Sequence, residues 1–231
     1  MYSHDGPSGR DARYHGPFRT RTVRAVLAQP PLPPLTGLVL AGGASTRMGT
    51  DKAWLVVEGR PLVCRAVAVL GEICDEVLVA SGDGRRLGGV GTRQVADVVP
   101  DTGPLAGVLA GLEASRNPMV AVVAVDMPFA SPAVLALLAG LAATGTHAVV
   151  APVTDGRLQP LHAVWATRAA EALRRRLCTG QRSVTAAAVA IGVHRVCEQL
   201  WRPADPSGRF AHNLNHPGDL PWSIATPPPA T

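Results

Sequence analysis

No apolar run in this sequence is both long and free of charge, and this absence excludes helices that span a lipid bilayer. Residues 1–19 are polar and lack the basic-then-apolar order of a secretory signal, so nothing in them directs export. We therefore expect a cytoplasmic protein without a membrane partner.

Aromatic residues are also scarce, at 4% of the 231 residues, which is too few for the base-stacking surfaces of single-strand nucleic-acid binders. A net charge of +5 would by itself suit a nucleic-acid partner. Many of the cations, however, lie in residues 10–24 or in one presumed helix that carries Arg174, Arg175 and Arg176. We interpret these cations as solvated and expect no nucleic-acid partner.

The four cysteines form no C-x-x-C pair, which argues against a structural zinc site and against a redox motif. We expect Cys64, Cys74, Cys178 and Cys197 to be ordinary buried thiols.

Three common catalytic or nucleotide-binding motifs are missing as well. Five residues separate Gly43 from Gly49, and two more intervene before Lys52, so the segment is not a Walker A loop. The glycine pairs in residues 82–84 and 89–91 lack the third glycine of G-x-G-x-x-G, which removes the main support for a nicotinamide cofactor. No G-x-S-x-G is present, so a serine hydrolase is not indicated.

What the chain does contain is one apolar body between two less apolar ends. Residues 1–34 are rich in Gly, Pro and Arg and end in a proline cluster, which predicts an extended, disordered extension. With 47% hydrophobic residues overall, residues 35–222 are long enough to bury a core as one domain. Residues 223–231 are predicted to be a flexible tail.

Apolar runs and helical patterns alternate along this body. We predict strands at 36–41, 76–80, 119–125 and 148–152, and helices at 61–70, 105–114 and 131–141, the last capped by Ser131. Such alternation implies crossover connections and a mostly parallel sheet covered on both faces, an α/β three-layer sandwich. The glycine- and arginine-rich residues 81–92 are predicted to be a mobile surface loop. Ligands bind such sheets beyond the carboxyl ends of the strands, here just after Leu40, Ala80 and Val125.

A glycine-rich segment follows the first predicted strand. Gly42 and Gly43 allow backbone N–H groups to approach an anion, and Arg47 and Lys52 add positive charge to the same segment. A polyphosphate is the ligand that such a segment suits. The alternative interpretation is an ordinary glycine-rich turn with two solvated cations.

An acid, Asp126, stands at the end of the predicted strand 119–125. A hard carboxylate at the ligand-binding edge of a parallel sheet suits Mg²⁺ that bridges phosphates. A carboxylate that caps the next helix is the alternative, but Ser131 already fills that role.

Two further groups of residues leave the choice open on sequence alone. Either Asp97 or Asp101 could contact a nucleotide. Asn213 and Asn215 alternate, so both amides would face one way on an extended segment, although a turn-forming pair is equally compatible with them.

These motifs together resemble a known family. The string L-A-G-G-A-S-T-R-M-G-T-D-K at residues 40–52 resembles the signature loop of the sugar-nucleotidyltransferase-like superfamily, and its Leu-Ala-Gly-Gly form resembles the molybdenum cofactor guanylyltransferases within the MobA-like NTP transferases. G-P-L-A-G at 103–107, V-D-M-P-F at 125–129 and N-L-N-H-P at 213–217 resemble that family's later motifs, in the expected order. The resemblance spans roughly residues 35–220 and implies a Rossmann-like fold.

The resemblance implies a Mg²⁺-dependent enzyme that transfers GMP from GTP to molybdenum-molybdopterin and releases pyrophosphate. It also implies that Asp97, rather than Asp101, is the nucleotide-contacting acid, and that transient contact with molybdoenzyme maturation proteins occurs. The implied catalytic residues are Arg47 at the leaving pyrophosphate, Lys52 at the α-phosphate, and Asp126 at the metal. The implied nucleotide-binding residues are Leu40, Ala41, Gly42, Gly43, Lys52, Asp97 and Asp126, and the implied acceptor-binding residues are Asn213 and Asn215.

Two positions depart from the family's pattern. Ala80 stands where members commonly place an Asn at the end of the second strand, and His216 replaces the usual Thr. Two alternatives therefore stay open: a related transferase that uses CTP or another acceptor, and a non-catalytic nucleotide-binding protein.

Overall fold

The computed structural model describes residues 32–42, 51–99 and 102–214. Its strands are β1 (Leu35–Leu40), β2 (Val56–Val57), β3 (Arg60–Pro61), β4 (Glu76–Gly82), β5 (Arg93–Ala96), β6 (Met119–Ala124), β7 (Val149–Thr154), β8 (Arg157–Leu158), β9 (His162–Ala166) and β10 (Val193–Val196). Its α-helices are α1 (Leu62–Gly71), α2 (Pro104–Ala114), α3 (Pro132–Thr144), α4 (Ala170–Cys178), α5 (Val184–Ile191) and α6 (Glu198–Trp201). No helix within these described stretches is long and apolar enough to cross a membrane.

One eight-stranded sheet organises the described residues, in the order β10-β7-β9-β6-β1-β4-β5, with β8 paired to β7. The pairs β1–β4, β1–β6, β4–β5 and β7–β10 are parallel, whereas β9 runs antiparallel to both β6 and β7. The predicted α/β fold with a mostly parallel sheet is therefore confirmed.

Helices cover both faces of this sheet and make the sandwich three layers deep. Along β1, Leu38 and Leu40 pack on the face covered by α2, α4 and α5. Leu35 and Val39 point the other way, towards α1 and α3. All six residues of β1 are buried, as expected for a central strand with helices on both sides.

Helix α2 lies unusually close to β1 because it presents glycine there. A Cβ added at Gly111 would lie 2.1 Å from Cδ2 of Leu38, so no larger residue fits unless the Leu38 side chain, the helix or the strand shifts. This close approach places the N-terminal half of α2 beside the carboxyl ends of β1 and β4.

The structure extends or corrects several sequence predictions. β4 continues to Gly82, so Ala80 lies inside the strand, opposite Leu40, rather than at its end. Strands β5, β9 and β10 were not predicted. Cys178 and Cys197 are exposed, which contradicts the expectation of buried thiols for these two, whereas Cys64 and Cys74 are half-buried. Burial, reinforced by the charge of Asp75, raises the pKa of Cys74 to about 12.

The predicted surface loop after β4 does carry exposed residues, but Leu87 anchors it to the sheet. Leu87 is fully buried in the core on the α1 side. The side chain of Gln94 on β5 accepts a hydrogen bond from the Leu87 N–H (3.1 Å) and donates one to the Leu87 carbonyl (2.9 Å). This anchoring holds the preceding Arg86 close to the end of β1, where it contacts the Ala41 carbonyl.

β1 begins at Leu35, where the predicted domain begins. Residues 1–31 and 215–231 lie outside the described residues, so the proposed extension 1–34, most of which falls there, and tail 223–231 stay predictions.

Candidate functional site

The carboxyl end of β1 is built mainly from backbone. Leu40 and Ala41 are buried, whereas Gly42 is exposed. The Leu40 carbonyl accepts a hydrogen bond from the Val125 N–H (3.0 Å), and the Ala41 N–H donates to the Ala80 carbonyl (2.9 Å). These bonds fix the end of β1 between β6 and β4, so Gly42 is the first residue of the segment that faces outward.

Lys52 and Asp126, which are 74 positions apart in the chain, meet at this edge of the sheet. The Lys52 ammonium donates to Oδ2 of Asp126 at 3.2 Å. The two side chains are 18% and 28% exposed, so the pair is accessible from solvent although it is partly enclosed. Two groups that the sequence assigned to phosphate and to metal therefore lie in one site.

Local structure fixes each member of this pair. Lys52 opens a short 3-10 helix, Lys52–Trp54, whose N-cap Asp51 accepts a hydrogen bond at Oδ1 from the Ala53 N–H (3.1 Å). Asp126 lies two residues beyond the end of β6, and its carbonyl accepts a hydrogen bond from the Leu214 N–H (2.8 Å). An N-cap and a tertiary hydrogen bond thus hold the two backbones on either side of the ion pair.

Asp97 reaches the same edge from β5. Its N–H donates to the Gly82 carbonyl (2.8 Å), which continues the pairing between β5 and β4. A Cβ added at Gly42 would lie 3.3 Å from Oδ2 of Asp97, and one added at Gly107 in α2 would lie 3.4 Å from Oδ1. Two glycines therefore leave room for this carboxylate between β1 and α2, whereas Asp101 lies outside the described residues.

Arg86 is a residue of this site that the sequence analysis missed. Its Nε donates to the Ser81 carbonyl (3.1 Å), its Nη1 pairs with the Asp51 carboxylate, and its Nη2 donates to the Ala41 carbonyl. Partial burial lowers the pKa of Arg86, and the negative charge of Asp97 opposes that effect. Arg85 and Arg86 stand shortly after the end of β4, but this position in the sequence does not distinguish a bound arginine from a solvated one.

The C-terminal part of the described chain packs beside Asp126. Leu214 is buried in a small cluster with Val57 and Leu62, while the neighbouring Asn213 is exposed. Nearby, the Arg209 guanidinium lies 3.7 Å from the ring centroid of Phe129. The expected acceptor-binding residue Asn213 therefore stands at the same edge as the ion pair.

Other expected site residues cannot be placed in the same way. Gly43, Arg47 and Asn215 lie outside the described residues, and their roles stay predictions. The roles assigned to Leu40, Ala41, Gly42, Lys52, Asp97, Asp126 and Asn213 also stay predictions, although these residues do gather at one edge.

A metal held entirely by protein side chains finds no support in the described stretches, which contain no cluster of three or more His, Cys, Asp or Glu residues suited to it. Mg²⁺ is commonly coordinated differently: it keeps several waters and binds one or two carboxylates together with substrate phosphates. A single, partly exposed carboxylate such as Asp126, beside the segment expected to bind phosphate, is compatible with binding of this kind.

Comparison with known proteins identifies relatives of this chain. A probable molybdenum cofactor guanylyltransferase from Chloroflexus aggregans is 40% identical over 190 residues, which cover 80% of this chain and 91% of that protein. A molybdenum cofactor guanylyltransferase from Cereibacter sphaeroides is 38% identical over 191 residues, covering 80% and 93%.

Among solved structures, the molybdopterin-guanine dinucleotide biosynthesis protein A from Archaeoglobus fulgidus matches with a TM-score of 0.71 at 24% identity, over 80% of this chain and 94% of that one. The 2-C-methyl-D-erythritol 4-phosphate cytidylyltransferase from Thermus thermophilus matches with a TM-score of 0.58 at 23% identity, over 80% and 95%. At these identities the structures support the fold alone. The model of the MobA-like NTP transferase domain matches residues 37–194, a stretch that contains the ion pair, Asp97 and Arg86, and the chain belongs to that family.

Proposed function

We propose that this protein transfers GMP from GTP to molybdenum-molybdopterin, forming the guanine dinucleotide cofactor and releasing pyrophosphate. The observation that carries the nucleotidyl-transfer part is the Lys52–Asp126 pair at the carboxyl edge of the sheet, 3.2 Å apart and open to solvent. The choice of guanine and of the molybdopterin acceptor rests on the names of the relatives that are 38–40% identical.

In the proposed reaction, a phosphate oxygen of the acceptor attacks the α-phosphorus of GTP. The new P–O bond forms as the bond to the bridging oxygen breaks, and pyrophosphate leaves with that electron pair. The acceptor provides the nucleophile, so the protein contributes by positioning the two substrates and by neutralising charge. Lys52 would neutralise charge on the α-phosphate, Arg47 would bind the departing pyrophosphate, and the backbone at Gly42 and Gly43 would donate to phosphate oxygens.

Asp126 is the residue we propose for Mg²⁺. Lys52 occupies its Oδ2, and no hydrogen bond from the described residues reaches its Oδ1. Mg²⁺ bound there would supply positive charge to phosphate oxygens during transfer. The role of the protein is to hold the carboxylate in place, which the Leu214 hydrogen bond to the Asp126 backbone supports.

Asn213 is our proposal for the acceptor side of the site, together with Asn215. The support is that Asn213 is exposed and directly precedes Leu214, whose N–H bonds to Asp126. An acceptor held there would have its phosphate near the metal and the α-phosphate. A cytoplasmic location and transient contact with molybdoenzyme maturation proteins are part of the same proposal.

The test is pyrophosphate release by the purified protein with each of the four NTPs, with and without molybdenum-molybdopterin and Mg²⁺. We expect release that requires both acceptor and Mg²⁺ and is fastest with GTP. Faster release with CTP would make the protein a cytidylyltransferase. NTP binding without pyrophosphate release under any of these conditions would make it a non-catalytic binding protein.

A further inference from the structure

One side chain joins three separate segments at the edge where GTP is proposed to bind. Arg86 donates to the Ser81 carbonyl at the end of β4, to the Ala41 carbonyl at the end of β1, and to the Asp51 carboxylate. Ala41 precedes the glycine-rich residues, and Asp51 follows them immediately before Lys52.

We propose that Arg86 is a positioning residue, which fixes both ends of the glycine-rich segment and thereby sets the place of Lys52. The proposal deepens the nucleotidyl-transfer function proposed above and rests on it. Arg86 itself does not need to touch the substrate, because its effect passes through Asp51.

The path from Arg86 to Lys52 consists of short, named contacts. Arg86 holds Oδ2 of Asp51, whose Oδ1 accepts from the Ala53 N–H at 3.1 Å and so caps the 3-10 helix. Lys52 is the first residue of that helix, and its ammonium stands 3.2 Å from Asp126. If Oδ2 loses its partner, Asp51 can rotate away from the cap, and the backbone that carries Lys52 loses its fixed orientation.

The geometry specifically requires arginine. A planar guanidinium presents donors on three nitrogens, and here each nitrogen contacts a different segment. A lysine ammonium is a single point on a flexible stem and cannot reach the same three acceptors at once. Lysine at this position would therefore keep the charge beside Asp51 and Asp97 but lose the connection between segments.

The neighbouring Arg85 is a matched control. It has the same charge and lies one residue away, but it is exposed, and its side chain makes no hydrogen bond with the described residues. The experiment compares Arg86→Lys, Arg86→Gln and Arg85→Lys in steady-state pyrophosphate release with GTP, Mg²⁺ and molybdenum-molybdopterin.

We expect Arg86→Lys to lower kcat by roughly tenfold to a hundredfold, because a small misplacement of a catalytic group has effects of this size. Its KM for GTP should stay within about twofold of the wild-type value, because the charge near the phosphates is kept. Arg86→Gln should lower kcat similarly and also raise KM, and Arg85→Lys should match the wild type. Wild-type kcat in Arg86→Lys would overturn the inference.

A double variant tests whether the effect passes through Lys52. In a Lys52→Ala background, Arg86→Lys should lower kcat by less than about threefold, since the group that it positions is already gone. If the two effects multiply in full, Arg86 acts independently of Lys52 and the inference is wrong.

Hydrogen–deuterium exchange tests the same inference without turnover. Amide exchange at Ala53 and Trp54 should be faster in Arg86→Lys than in the wild type, and unchanged in Arg85→Lys. Unchanged exchange in Arg86→Lys would refute the positioning role even if turnover is lowered. Absence of pyrophosphate release by the wild type would instead refute the proposed function, and exchange would still decide the role of Arg86.

Discussion

The fully buried His162 should make the stability of this protein sensitive to acid. His162 begins β9, where it pairs with Val123, three residues before Asp126. Its Nε2 accepts a hydrogen bond from the Ser131 N–H (3.1 Å), so the neutral ring carries its proton on Nδ1, which has no hydrogen-bond partner among the described residues. Protonating Nε2 would break the bond to Ser131 and bury a charge.

Burial is the main reason why the pKa of His162 is lowered from 6.5 to about 4. Two smaller effects oppose this shift, the interaction of the ring with the backbone of His162 itself and the charge of Asp205. As pH falls, the unfolded chain binds this proton near 6.5 and the folded chain only near 4. The contribution to stability is therefore complete above pH 6.5, is lost progressively between 6.5 and 4, and changes no further below 4. At about 1.4 kcal/mol for each tenfold change in proton affinity, the loss is about 3 kcal/mol across that window.

The assay is urea unfolding from pH 8 to pH 4.5, followed by fluorescence of the buried Trp165 and Trp201. The variant His162→Gln keeps a possible acceptor for Ser131 but cannot titrate. It should be less stable than the wild type at pH 8. As the pH falls below 6.5, the difference in free energy of unfolding between the two proteins should decrease by most of the expected 3 kcal/mol.

Val164→Ala is the control for this experiment, because Val164 is buried on the same strand and the same face but has no proton to bind. Its stability deficit should stay constant with pH. If the His162→Gln and wild-type curves also run parallel, His162 is protonated to the same degree in the folded and unfolded chains, and the reasoning fails.

Three further predictions concern the candidate site itself. Lys52→Ala should lower kcat by on the order of a hundredfold in the pyrophosphate assay, because a preorganised charge is lost. The melting temperature should change little, because the ion pair is partly solvated. Wild-type turnover would show that Lys52 is an ordinary surface residue. Asp126→Asn should fold normally but lose Mg²⁺-dependent turnover at every Mg²⁺ concentration, because an amide lacks the charge that Mg²⁺ requires, and full activity would remove Asp126 from the site. Gly107→Ala places a Cβ 3.1 Å from Leu40 Cδ2 and 3.4 Å from Asp97 Oδ1, so it should raise KM for GTP; an unchanged KM would argue against a nucleotide contact by Asp97.

The central elements of the fold could be predicted because buried strands and capped helices have recognisable sequence patterns. The fully buried β1 and β6 appear as continuous apolar runs, and α3 starts at a serine followed by proline. β5 escaped prediction because it is an edge strand of four residues without an apolar run. β9 escaped because a strand antiparallel to both neighbours does not follow from the crossover rule that predicts parallel strands.

Some residues of the candidate site could likewise be predicted from the sequence, and others could not. Lys52 and Asp126 could be named in advance because Lys52 follows a glycine-rich turn and Asp126 follows a strand, where a parallel sheet binds ligands. The residues alone left Asp97 and Asp101 open, and the family resemblance selected Asp97. Arg86 could not be named in advance, because its importance depends on a side chain that folds back to three acceptors up to 45 positions away in the chain. Glycine-rich sequence alone does not distinguish such an anchored loop from a solvated one.

The interior position of Ala80 bears on how the site could select a base. Ala80 is buried in the same apolar cluster as residues of α2, and its methyl side chain has no polar group to offer a nucleotide. The Leu40 carbonyl, the Ala41 N–H and the Ala41 carbonyl already have partners within the protein. Among the described residues at this edge, Gly42 and Asp97 are then the groups best placed to recognise a base or ribose. We expect GTP to have the highest kcat/KM of the NTPs. Each lost hydrogen bond costs about 0.5–1.5 kcal/mol of discrimination, so the ratio of kcat/KM for GTP to that for another NTP should be up to roughly tenfold smaller than in a fully polar pocket.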